Sequence, residues 1–482
     1  MRTIPTGLIY GGALAISSGA NFLALLVWTR LLPPAQFGIY AIASGTALFL
    51  NALGFEWLRQ TASRLLVSPG AKFGVDPGRA NSMTLVVLSV VGITFVVIAL
   101  GRGLNLPIAE LPASWWPVIG VFTLSEMMLA LANTLSRFRM LPWQFFRSMA
   151  SRGFLSLAIG VPLVMLGWGA LGAILGIVLA QCLVIGSTLL LDRFWRTLRP
   201  AQGRRADVAA ILHFGLPLIA SSGANYSVGF LDRYMVGQFL GLKEVGLYSA
   251  PFDLMQKTVV FLLLAINLTA GPRIFLAFEA KGPDAARHEL DQNFLLLLGV
   301  GLPAVVGLAA LSPGLSGILM GPAYRASAAV LLPLIATAVL LRSLVGFHIS
   351  LAFQLAKRTR LLVIPPLLSV VVLILAGYFG LRWYGLVGMA CAAILAQGFA
   401  FGLSLAMAKR IFGMRLPMAQ AWRVIAAAAC MGALLWPLRG YSGALPTLGL
   451  VAAGGTIYGA ALLLFGYPPA RAILARLRRA ES

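Results

Sequence analysis

The chain has 482 residues, of which 60% are hydrophobic and only 11% charged, and its mean hydropathy is +0.91. A soluble domain carries about 25% charged residues, so this composition excludes a water-covered globule and points to lipid as the main solvent. The formal charge of +23, from 37 Lys and Arg against 14 Asp and Glu, would suggest nucleic acid in a soluble protein. Here the placement of the basic residues supplies another explanation.

A membrane-crossing helix needs roughly 20 apolar residues. Long continuous apolar runs without period-2 alternation predict helices and exclude an outer-membrane barrel. Taken in chain order, the expected spans lie near 8–31, 37–58, 82–101, 114–136, 148–167, 170–191, 208–231, 244–267, 294–312, 326–349, 361–381, 384–407, 419–437 and 445–466. The first run continues past Val27 to Leu32, too long for the apolar part of a signal peptide, so it reads as the first span. The expected fold class is thus an all-α polytopic membrane protein of about 14 helices, following from that span length.

With the N-terminus inside, the alternate loops that face the cytoplasm hold roughly four basic residues for each one on the outer side. That bias predicts both termini in the cytoplasm and accounts for the positive charge without nucleic acid. The outer loops are short. The longest inner loops, 59–81, 192–207 and 268–293, are basic and amphipathic and are expected to lie on the membrane surface.

An internal repeat divides the chain. Ser17-Ser18-Gly19-Ala20-Asn21 recurs as Ser221-Ser222-Gly223-Ala224-Asn225, Arg30 as Arg233, and Gly38-Ile39-Tyr40 as Gly246-Leu247-Tyr248. Further on, Gly172 and Gln181 recur as Gly388 and Gln397. The offset covers six spans, an even number, so the two copies share orientation. Such a parallel repeat turns about an axis along the membrane normal, with the substrate path expected between the halves. The predicted division is 1–207 (spans 1–6), 208–412 (spans 7–12) and 413–482 (two extra helices and a basic cytoplasmic tail).

Several motifs carry no chemistry. Gly167-Trp168-Gly169-Ala170-Leu171-Gly172 fits a dinucleotide fingerprint but joins two apolar helices and follows no strand. There is no Walker A loop. His213, His288 and His348 have no ligand-spaced partners, and Cys182, Cys391 and Cys430 each sit alone in an apolar run. No metal or cofactor is expected.

The ionisable residues within spans stand out, since each costs about 2.5–3.5 kcal/mol at the bilayer centre unless water or a partner receives it. Glu126 lies midway along the fourth span. Asp253 and Lys257 stand i,i+4 on the eighth, where they pair with each other or face a cavity. Arg342 lies in the inner half of the tenth. Arg30, Asp232 and Arg233 end spans on the outer side, and Glu56 and Arg59 end one on the inner side, as interfacial anchors or cavity residues. The functional reading makes Arg30, Arg233, Arg342 and Lys257 the ligands of an anionic group such as a phosphate. Glu126, Asp253, Asp232 and Glu56 are then charge partners or the site of a coupling H+ or Na+.

The stretch Thr29-Arg30-Leu31-Leu32-Pro33-Pro34-Ala35-Gln36-Phe37-Gly38-Ile39-Tyr40-Ala41 resembles the opening signature of the Wzx-type polysaccharide flippases, members of the multidrug/oligosaccharidyl-lipid/polysaccharide (MOP) exporter superfamily. Its second-lobe counterpart is Asp232-Arg233-Tyr234-Met235-Val236-Gly237-Gln238-Phe239-Leu240-Gly241, followed by Val245-Gly246-Leu247-Tyr248. In the first lobe Thr29 stands where the second has Asp232. By position Arg30 and Arg233 match the basic residues of the signatures and Asp232 the acidic one. The resemblance implies two six-helix lobes that move an oligosaccharide linked to undecaprenyl pyrophosphate across a bacterial inner membrane by alternating access. The product would serve exopolysaccharide, O-antigen or capsule assembly, with a polysaccharide polymerase and chain-length machinery as possible partners. The last two spans are similar to the extra helices of the lipid II flippase branch.

Three rivals are defined, the first a lipid II flippase of the same superfamily. A cation-coupled multidrug exporter of the same superfamily usually has twelve spans and prefers an acidic cavity. A membrane polymerase or ligase needs an extracytoplasmic site, for which the short outer loops leave little room.

Overall fold

Why the apolar runs become helices is a matter of backbone satisfaction: in lipid every N–H and C=O must find its partner within the chain, and a helix does this locally. A computed structural model describes residues 6–66, 75–441 and 443–467. Arg2, Lys72 and the basic tail with Arg471, Arg476, Arg478 and Arg479 lie outside the described residues, as do the side chains of Ser221, Ala224 and Asn225. Among the described residues eleven helical stretches are long and apolar enough to cross a bilayer. Two of them, Pro142–Leu191 and Thr359–Phe412, fold back on themselves at a glycine.

The chain packs as two compact units, residues 1–246 and 247–482. The first contains α1 (Thr6–Leu31), α2 (Pro34–Gly54), α3 (Glu56–Leu65), α4 (Pro77–Gly103), α5 (Trp116–Phe138), α6 (Pro142–Leu163), α7 (Gly169–Leu191), α8 (Arg205–Leu240) and the first turn of α9 (Leu242–Met255). The second span, expected through residue 58, breaks at Phe55, whose φ of −131° is not helical. From there α3 runs on as a separate amphipathic helix with Trp57, Leu58, Thr61 and Ala62 buried. The start of α4 is set by Asp76, whose Oδ1 accepts the Arg79 N–H at 2.9 Å, with Pro77 at the first helical position.

One close approach inside this unit involves both signature glycines. A Cβ on Gly38 would lie 1.8 Å from the Leu242 carbonyl oxygen, and one on Gly246 would lie 1.9 Å from that of Pro34. No side chain fits there, so α2 and the first turn of α9 meet backbone to backbone. The packing division therefore follows α8, whereas the repeat-based division at 207/208 falls in its first turn. The two criteria differ: correspondence in sequence places α8 with the later helices, and contact places it against α2, α3 and α4. Ile211 of α8 joins the apolar cluster of Trp57, Leu58, Val87 and Met127, and Phe230 stacks on Phe49 at 5.0 Å between ring centroids.

The second unit holds the rest of α9, then α10 (Phe261–Lys281), α11 (Pro283–Leu319), α12 (Arg325–Leu344), α13 (Ser350–Leu355), α14 (Ile364–Phe412), α15 (Met418–Leu435) and α16 (Ala444–Leu464). α14 is a hairpin of two spans. It reverses at Gly385, whose φ of +56° and ψ of −134° only glycine adopts without strain. Two turns are π-wound, Gln256–Val260 and Val345–Ile349. Each adds a residue to the turn and shifts the helix face beyond it; such bulges often mark functional positions. The core of this unit gathers Ile274, Leu290, Ile349, Phe353 and Ala408. Large apolar side chains stand outward in both units, Trp383 and Leu445 among them, as a lipid-facing surface requires.

Candidate functional site

In the first unit, α2, α3, α4, α5 and α8 surround a cavity of about 200 Å3. The structure brings two of the expected acidic residues, Glu56 and Glu126, to this one cavity, along with Asn51, Arg59 and Tyr226. Neither carboxylate stands alone. Glu56 is paired with Arg59 one helical turn on, through a 2.9 Å bond from Nε and a second contact from Nη2. Burial by itself would lower the Arg59 pKa, but the Glu56 carboxylate outweighs it and holds the guanidinium charged. Glu126 is paired with Arg152 of α6. Sequence reasoning missed this partner, because Arg152 is 26 residues away and its rotation toward α5 is a property of helix packing.

The expected phosphate ligands take different positions. Arg30 lies exposed in the last turn of α1, where its Nη1 donates to the Leu26 carbonyl at 2.8 Å. Asp232 and Arg233 are buried in α8, and the Arg233 backbone N–H donates to Asp232 Oδ1 at 2.7 Å. In the second unit Asp253 lies in the last turn of α9, which ends at Met255, and Lys257 sits on the π-turn that follows. The i,i+4 alignment expected for these two assumes regular winding, which stops at Gln256. That π-turn packs against α12, whose last turn carries Arg342. All three side chains are half-buried.

The repeat-matched glutamines are both buried; Gln181 accepts a hydrogen bond from Ser125 at 2.6 Å and ties α7 to α5. Among the described residues no three His, Cys, Asp or Glu side chains gather as a metal site.

A second feature was not foreseen. In the second unit α9–α10, α11, α15 and α16 border an apolar groove of about 480 Å3, lined by Met255, Leu262, Pro303, Leu311, Met431 and Tyr458. Its polar atoms are few, and the Tyr458 hydroxyl is tied to the Gly299 carbonyl at 2.9 Å. The sequence signal was present in the small residues Gly299, Gly307, Gly454 and Gly455, which leave room along the facing helices.

The arrangement thus offers charged side chains within the helical bundle of each unit and an apolar trough that the last two helices complete. Residues 7–278 match the family model described as polysaccharide biosynthesis protein. Among solved structures, the lipid II flippase MurJ in an inward closed conformation is similar at a TM-score of 0.75 and 13% identity, over 97% of this chain and 100% of that one. A multidrug resistance MATE family transporter of the MOP superfamily, inward-facing, gives 0.59 at 16% identity over 83% and 98%. A MOP superfamily transporter from Pyrococcus furiosus gives 0.54 at 14% identity over 84% and 96%. At these identities the likeness is one of fold. No curated protein matches the chain in sequence.

Proposed function

Because the chain belongs to the polysaccharide biosynthesis protein family, we propose that it is a flippase that carries an oligosaccharide linked to undecaprenyl pyrophosphate from the inner to the outer leaflet of a bacterial inner membrane. Both termini are cytoplasmic in this reading, and the protein is a transporter, not an enzyme. The observation that carries it is the apolar groove of the second unit. A drug cation needs no such trough, whereas a polyprenyl tail must stay in an apolar environment while its head crosses, since each CH2 moved into water costs about 0.8 kcal/mol.

The pyrophosphate head is met by Arg30, Arg233, Lys257 and Arg342. Arginine suits this task because its planar fork binds two phosphate oxygens at once. Glu56 and Glu126 are balanced by Arg59 and Arg152, so a coupling H+ or Na+ taken there has to displace a guanidinium. Asp232 and Asp253 complete the set of acids that serve as charge partners or coupling-ion ligands in this reading. Transport proceeds by alternating access of the repeats 1–207 and 208–412, with 413–482 serving the lipid tail. A polymerase with its chain-length machinery would take the delivered glycan.

The test is a leaflet-accessibility assay in proteoliposomes with a fluorescent pyrophosphate-linked oligosaccharide lipid and a membrane-impermeant quencher. The protein should expose the inner-leaflet probe, and a variant with all four basic residues changed to Gln should not. Transport of a cationic dye without movement of the lipid would assign the chain to multidrug export. Polymerised saccharide appearing with purified protein would revive the enzyme reading.

A further inference from the structure

A polar pocket of about 390 Å3 lies at the end of the first unit where α6 starts and α7 stops, away from the cavity of Glu56 and Glu126. On α6, Gln144, Arg147, Ser148 and Ser151 follow one another at helical spacing along one wall. Across from them the α7 hydroxyls are already used, since Ser187 and Thr188 both donate to the Val184 carbonyl, at 2.7 and 2.9 Å.

The one carboxylate in the pocket is also spent. Asp192 accepts from the two terminal nitrogens of the Arg139 guanidinium, from the Phe194 N–H at 3.0 Å and from the Gln144 amide at 3.3 Å. Arg139 in turn lies over the Phe194 ring, 4.5 Å from its centroid. Arg139 and Asp192 therefore cancel, and the pocket keeps the single positive charge of Arg147. Among the described residues no ion pair engages Arg147. Beside it Ser148 is 6% exposed, and its Oγ has no hydrogen-bond partner. A buried hydroxyl left unsatisfied is costly, and Ser148 lines the same pocket as the exposed Arg147. Arg193 and Arg196, both exposed, follow Asp192 in the chain and add positive potential at the rim.

We propose that this pocket binds a phosphate group carrying an organic substituent. Arg147 holds two phosphate oxygens and the Ser148 hydroxyl donates to a third, while the Arg139–Asp192 pair fixes the floor. The volume falls within the range of about 300–1,000 Å3 typical of small-ligand sites, larger than a bare phosphate needs. The pocket lies where the spanning segment ends, so its phosphate comes from the headgroup of a membrane glycerophospholipid or from a soluble phosphate ester. The site is independent of the flippase reading, because binding is measured without transport.

The full chain is tested in two arms. In the first it is extracted from nanodiscs of phosphatidylcholine containing a minor fraction of phosphatidylglycerol, and retained lipid is read by native mass spectrometry. In the second the delipidated protein is titrated with glycerol 3-phosphate and followed by thermal shift. Arg147→Gln should weaken retention or affinity at least about tenfold, since a two-bond charged contact is replaced by a neutral amide that keeps at most part of it. Ser148→Ala should weaken it several-fold in the same arm, and the exposed Arg410→Gln should leave it unchanged. A response in the lipid arm assigns a headgroup, and a response in the titration assigns a soluble ester. Equal behaviour of the protein and both pocket variants in both arms overturns the proposal, as does an equal loss in Arg410→Gln. Should Arg147→Gln fail to fold, Ser148→Ala, which removes one oxygen, decides the question.

Discussion

Glu126→Gln keeps the side-chain shape on α5 but leaves the Arg152 guanidinium of α6 without its counter-charge. Removing one partner of a fully buried ion pair costs about 3–5 kcal/mol, because the other charge remains desolvated. Here the side chains are 13% and 23% exposed, so some solvation persists and a loss near 2 kcal/mol is expected, about thirtyfold in the unfolding equilibrium. Arg152→Gln should cost a similar amount, since it strands the carboxylate instead. The double variant strands neither charge and should recover about 1–2 kcal/mol of the summed losses. Equilibrium unfolding of the four proteins in one detergent, followed by tryptophan fluorescence, measures this coupling. Losses that add to within about 0.5 kcal/mol would refute the pairing. The same variants separate structure from transport: if Glu126 binds a coupling ion, the double variant regains stability yet stays inactive.

Four further outcomes are expected. Gly246→Ala should lower stability by about 1–3 kcal/mol, the usual range for overpacking, because its Cβ would press on the Pro34 carbonyl; an unchanged melting temperature would contradict the close approach of α2 and α9. Gly455→Leu should preserve folding, since a Cβ there meets nothing within 4 Å, but should slow flipping of long-tailed lipid by filling the groove; full activity would detach the groove from the substrate. Removing the charges of Arg30, Arg233 and Arg342 singly should reduce flipping while membrane insertion persists, and full export by all three variants would end the cationic-ligand reading.

The fourth concerns pH. Burial alone would raise the Asp192 carboxyl, but the Arg139 guanidinium, the Phe194 N–H and the Gln144 amide outweigh it and hold the pKa below the ordinary 3.8. A carboxyl lowered on folding adds stability that is fully present above its unfolded pKa and is lost as pH falls through the lowered one. The stability difference between the protein and Asp192→Asn should therefore be flat across neutral pH and shrink only below about pH 4. A difference that grows on acidification would contradict the pairing.

What the sequence by itself determined was local. Apolar run length dictated the helices, since backbone pairing in lipid leaves few alternatives, whereas the reversal at Gly385, inside the span expected at 384–407, came from the structure. The repeat picked out Gly38 and Gly246 as equivalent, though only the structure revealed that they pack on each other. Depth in a run marked Glu56 and Glu126 as unusual without saying that they border one cavity or that Arg152 answers Glu126. The assignment of α8 to the first unit, the apolar groove and the pocket around Arg147 likewise depend on which face each helix turns toward its neighbours. Chain-local hydropathy cannot supply that rotation: in a helix apolar on nearly every side the 3.6-residue period carries almost no contrast, so packing between helices decides which side chains meet.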